Sequence, residues 1–127
     1  MPTALELTRK DLAAYRQALR RKRKRSRPAL WRTQRDALVQ RVRAAADLLR
    51  SRFGAKRVVL FGSLAHEGWY DPASDVDLAV EGLSGADYWH AWREVEDVIG
   101  DRRVDLIDVE SASESLRRAI ERYGVEM

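Results

Sequence analysis

From Asp75 to Glu81 the chain reads Asp-Val-Asp-Leu-Ala-Val-Glu, with polar and apolar side chains taking turns. A period of two fits a strand with one buried face. It does not fit a helix, whose apolar positions recur every three to four residues. Val76, Leu78 and Val80 then enter a core, while Asp75 and Asp77 project together from the opposite face. Two carboxylates held side by side repel each other unless a cation or a shared proton relieves them. The segment therefore needs a sheet to sit in and a partner for its charge.

The flanking sequence predicts that sheet. Val58-Val59-Leu60-Phe61 is a short, β-branched apolar run closed by Gly62, and Val104 to Val109 is a third run of the same kind. Between and around them the apolar spacing changes to that of helices. Leu12, Tyr15 and Leu19 predict an amphipathic helix over 9–22, opened by Thr8 and Asp11 and interrupted at Ser26-Arg27-Pro28. Pro28 suits the first turn of a second helix, along which Leu38, Val42, Ala45 and Leu49 form one stripe and after which Gly54 provides the stop. A short helix is expected over Ser63–Glu67 and a turn-rich loop over Gly68–Ser74. Longer helices are expected over 86–99 (Trp89, Trp92, Val95, Ile99) and 112–123 (Leu116, Ile120, Tyr123). The order αα-β-(α)-β-α-β-α carries no repeat. It predicts an α/β (α+β) fold with a small three-stranded mixed sheet, helices on one side and a basic helical hairpin in front.

Charge divides the chain in two. Residues 1–57 hold 18 Lys/Arg against 4 Asp/Glu, and residues 58–127 hold 6 against 16. A basic region faces something anionic; an acidic one can hold cations. Arg20–Arg25, six basic residues in a row, is the densest part. A solvated arm, an acidic protein partner and a nucleic-acid phosphate contact all suit it. Cysteine is absent and only two histidines are present, which excludes disulfides and thiolate chemistry and argues against a zinc site. No apolar run approaches the ~20 residues a membrane helix needs, and no secretory signal opens the chain. A cytoplasmic protein with no membrane contact is expected.

Asp-x-Asp by itself is a weak motif. Its setting is more informative. Gly62-Ser63 follows the first strand where a helix would begin, and glycine there lets the backbone approach an anion closely beside a serine hydroxyl. No Walker loop is present. Mg²⁺ is suited to such a place, since it takes one or two carboxylates, keeps waters and completes its octahedron with phosphate oxygens. A phosphate corner on one strand, a carboxylate pair on the next and Asp105 on a third make a coherent set.

These residues resemble a known family. Leu60-Phe61-Gly62-Ser63-Leu64-Ala65, Ser74-Asp75-Val76-Asp77-Leu78-Ala79-Val80 and Val104-Asp105-Leu106-Ile107 are similar to the minimal nucleotidyltransferase (MNT) domains of the DNA polymerase β superfamily, as are Ser115–Ile120 and Tyr123-Gly124-Val125. The family pattern is Gly-Ser, about ten residues, then Asp-x-Asp; here eleven residues intervene between Ser63 and Asp75. The likeness covers residues 38–127, an MNT domain, and leaves 1–37 as a basic helical extension.

The resemblance implies that Gly62 and Ser63 hold the β/γ-phosphates of a nucleotide. It implies that Asp75 and Asp77 ligate Mg²⁺, and that Asp105 completes the site beside the attacking hydroxyl. Two Mg²⁺ and ATP are the implied cofactor and substrate, and transfer of AMP to a hydroxyl is the implied reaction. Asp108 competes for the third role, but alternation along the strand puts it on the face opposite Asp105. The family also implies a partner. Its short members include the MntA-like antitoxins of HEPN ribonuclease toxins, some of which add AMP to a tyrosine of the toxin, so a hetero-oligomer with a HEPN-type toxin is expected. Two alternatives stand beside it: an antitoxin that neutralises by binding alone, and a transferase acting on a small molecule.

Other residues suit blander roles. His66 reads as a surface or capping residue, and Glu67 and Asp71 as solvated loop acids. Trp69 and Tyr70 could stack on a base or pack on the core. Trp31, Trp89 and Trp92 read as core or interface, and Arg57, Arg102 and Arg103 flank strand starts within reach of a triphosphate.

Overall fold

The computed structural model describes residues 28–127. The expected helix over 9–22, the interruption at Ser26-Arg27 and the basic run Arg20–Arg25 lie outside the described residues. Helix α1 (Ala29–Phe53) is preceded by Pro28 and ends at Gly54, whose φ of 70° is the left-handed turn that glycine adopts without cost. The boundary expected between residues 37 and 38 lies inside this continuous helix. Arg35, on the near side of it, donates to the carbonyls of Leu64 and Ala65 at 3.0 and 3.1 Å.

Strands β1 (Arg57–Phe61), β2 (Val76–Glu81) and β3 (Val104–Asp108) form where the short apolar runs predicted them. The expected short helix is two 3₁₀ turns, Ser63–Ala65 and Glu67–Trp69. Helix α2 (Tyr88–Ile99) connects β2 to β3, and helix α3 (Glu114–Tyr123) follows β3, with Ser113 Oγ accepting the Leu116 amide at its start.

The sheet has four strands rather than the three expected. Val125–Glu126 is β4, paired antiparallel with β1, and the order is β3-β2-β1-β4. Two residues cannot display a period, so no pattern announces this strand. β1 and β2 are antiparallel, β2 and β3 parallel. Helices also cover both faces rather than one. α1 and α2 bury Val58, Leu60, Val76, Leu78, Val80, Val104 and Leu106. On the reverse face Leu116 and Ile120 of α3 pack on Val59, Ala79 and Ile107. Among the described residues no helix is long and apolar enough to cross a membrane.

Candidate active site

The carboxylates occupy the reverse face, one step beyond the patch that α3 covers. Register partners Val59, Ala79 and Ile107 form a row under the helix. Two residues along, Phe61, Asp77 and Asp105 form the next row, at the end of the sheet. Asp77 is central, with β1 on one side and β3 on the other. The alternation that sends Val76 and Leu78 into the main core turns Asp77 toward this end, and Asp75, the residue before β2, is near enough for its charge to act on Asp77.

Gly62 closes the site on the β1 side. Its φ of 79° is a conformation that a side chain rarely adopts, and a Cβ there would lie 2.3 Å from Asp77 Oδ2. The glycine is thus required twice, by its backbone and by the carboxylate against it. Ser63 follows, half-buried, with its Oγ hydrogen-bonded to Ser74 Oγ at 2.9 Å.

On the other side the backbone amide of Val76 donates to Arg103 O at 3.0 Å, which sets the entry of β3 beside Asp75. Burial, with the charges of Asp105 and Asp75, pushes the Asp77 carboxyl up to about 7. Asp105 is raised too, first by burial, while Arg103 pulls it back. The cluster holds more negative charge than it can comfortably ionise.

Among the described residues no three carboxylate or imidazole groups converge into a preformed cage. Mg²⁺ needs none, since one or two carboxylates suffice when water and phosphate supply the remaining oxygens. Hard oxygen donors and mutual repulsion suit that ion.

The remaining candidates separate clearly. Asp108 is occupied elsewhere, accepting from the Glu110 amide and Ser111 Oγ, both at 3.1 Å, at the 3₁₀ turn after β3. Arg57 pairs with Glu121 and Glu126. Arg102 donates to the carbonyls of Pro72 and Ser74 and pins that loop. Arg103 is the arginine whose charge reaches both Asp77 and Asp105. His66 Nε2 bonds Tyr123 O at 2.8 Å, a cap on α3. Tyr70 is buried in the main core, and Trp69 packs edge-on against His66 and Tyr123, so neither is an open base platform. Glu67 is paired with Arg32, and Asp71 holds the Ala73 amide. Trp92 packs against the core, while Trp89 is 72% exposed and stacked on it. Sequence reasoning overlooked Ser74; its only signal was a serine immediately before Asp75.

A family model described as polymerase β, nucleotidyltransferase, matches residues 44–127. A solved minimal nucleotidyltransferase is similar at 30% identity and a TM-score of 0.61, over 73% of this chain and 95% of that one. A toxin–antitoxin crystal structure with AMP-PNP is 27% identical over 68% of this chain and 69% of its own, with a TM-score of 0.56. The toxin–antitoxin pair MntA-HepT is 25% identical over 68% of each chain, with a TM-score of 0.53. No curated protein matches.

Proposed function

The chain belongs to the polymerase β nucleotidyltransferase family, and from that premise we propose that it transfers AMP from ATP to a hydroxyl of a HEPN-type toxin, acting as its antitoxin. The observation that carries this reading is Asp77, register partner of Asp105 across β2–β3, with its carboxylate against Gly62. The AMP-PNP complex among the similar structures supports a nucleotide ligand, and the MntA-HepT pair supports a toxin partner. Residues 38–127 are the transferase domain in this reading and 1–37 its basic extension.

Each side chain then has a task. Gly62 lets the backbone approach the triphosphate, and Ser63 donates a hydrogen bond to its β/γ-phosphates. Asp75 and Asp77 present the oxygens that would hold Mg²⁺. Held by these carboxylates, the ion would offset charge on the triphosphate and lower the pKa of the attacking hydroxyl. Asp105 flanks the acceptor and takes its proton. The acceptor oxygen forms a bond to the α-phosphorus, the bond to the bridging oxygen breaks, and pyrophosphate leaves. Positioning and electrostatics supply most of the rate in such a transfer. The toxin–antitoxin pairs among the similar structures favour a partner protein as the source of the hydroxyl.

Co-expression with a HEPN-type toxin, purification of the complex and incubation with ATP and Mg²⁺ should add the mass of AMP to the toxin. An intact complex with no mass change would instead establish neutralisation by binding.

A further inference from the structure

Ser74 is buried, 3% exposed, with its hydroxyl turned into the protein. Its Oγ accepts the Asp71 amide at 3.0 Å and lies 2.9 Å from Ser63 Oγ. The loop that carries it is held from outside, where Arg102 donates to the carbonyls of Pro72 and Ser74 at 3.4 and 3.0 Å. Ser74 therefore sits at a fixed point between the glycine corner and the carboxylate strand, adjacent in sequence to Asp75.

A hydroxyl has one proton and two lone pairs. The Asp71 N–H occupies one lone pair of Ser74. Two arrangements of the serine pair remain at the same heavy-atom positions. If Ser63 donates inward, it turns only lone pairs toward the site, and these repel phosphate oxygens. If Ser74 donates to Ser63, the Ser63 proton is released to point outward. An anion at the corner selects the second arrangement, and the change rotates two hydroxyls without moving a heavy atom.

We propose that Ser74 is a positioning residue: held by the Asp71 amide, its hydroxyl donates to Ser63 Oγ and commits the Ser63 proton to the phosphates of the nucleotide. This rests on the reading of Ser63 as a phosphate contact. It joins the loop 71–74 to the glycine corner through one hydrogen bond, so the hydroxyl that meets the phosphate turns outward with no heavy atom moving.

Calorimetric titration of the full chain with α,β-methylene-ATP and, separately, AMP, both with Mg²⁺, tests it on Ser63→Ala, Ser74→Ala and the double variant. Ser63→Ala should weaken the triphosphate analogue roughly 10- to 150-fold, the range for one hydrogen bond to a charged group, and Ser74→Ala roughly 2- to 12-fold, the range for the neutral serine–serine bond it loses. AMP, lacking the β/γ-phosphates, should bind within about twofold of wild type, a contrast that a merely structural defect would not produce. The double variant should bind no more than about twofold worse than Ser63→Ala, because both changes break one chain of hydrogen bonds. Ser74→Cys, similar in shape but a poor donor, should behave like Ser74→Ala and guards against a packing defect. Wild-type affinity in Ser74→Ala beside weakened Ser63→Ala would overturn the relay and leave the phosphate contact standing, as would additive losses. Unchanged affinity in Ser63→Ala would overturn the phosphate contact itself.

Discussion

Asp77 and Asp105 are direct register partners across the parallel β2–β3 pair, on the same face of the sheet. Neighbouring strands lie only ~5 Å apart, so the sheet forces the two carboxyls together whatever their charge. Both have raised carboxyl pKa values, Asp77 the more strongly, up to about 7. The fold thus spends stability to gather charge that a cation can use.

Replacing Asp77 by Asn should separate function from stability. Nucleotide transfer should fall at least ~100-fold, the scale on which one electrostatic contact of a transition state acts. In EDTA the same variant should melt higher, by about 4 °C for each kcal/mol of repulsion removed in a domain of this size. Radiolabel transfer and thermal denaturation by circular dichroism measure the two effects. Wild-type turnover in the variant would dismiss the site.

Stability should depend on pH with a definite sign. The folded chain keeps the Asp77 proton up to about 7, whereas an unfolded Asp releases it near 3.8. Between these values the folded state binds more protons, so stability without divalent ions must fall as pH rises from about 4 to about 7. Asp101 and Glu121, whose pKa values are lowered by arginine partners, act in the opposite sense but below this window. Urea midpoints at pH 5 and pH 8 in EDTA check the slope. Asp77→Asn should flatten it, and Mg²⁺ should restore stability at the higher pH.

Gly62→Ala places a Cβ against Asp77 Oδ2 and asks alanine to adopt a φ of 79°. A loss of about 1–3 kcal/mol is expected, with loss of transfer as Asp77 is displaced. Gly54→Ala is the control. Its φ is 70° but nothing lies within 4 Å, so only the backbone cost of about 1–2 kcal/mol should appear, with activity retained. Denaturation and transfer assays on both variants separate conformational strain from the contact.

The outer edge of β3 is closed by α2. Trp92 Nε1 donates to Val104 O at 3.0 Å, and Tyr88 Oη donates to Leu106 O. An open strand edge invites pairing with other chains. Trp92→Phe and Tyr88→Phe should each cost about 1 kcal/mol. Together they should increase association at high concentration, seen by light scattering, while leaving the carboxylate row intact.

Much of the site could be read from local pattern. The side-chain period of a strand puts Asp77 on the face opposite Val76 and Leu78, and Gly62-Ser63 marks the end of an apolar run. Asp105 could be preferred to Asp108 by the same alternation. These inferences need only residues a few positions apart. Strand order and register do not follow from period, because they depend on contacts between residues tens of positions apart. Tertiary structure alone set Asp77 opposite Asp105 and brought Gly62 within a methyl group's reach of it. It also folded α3 onto the reverse face and added Val125–Glu126 as a fourth strand too short to show a pattern. Ser74 is the clearest case. It stands in the segment that carries the resemblance, yet only the packing of its loop against the glycine corner buried its hydroxyl beside Ser63.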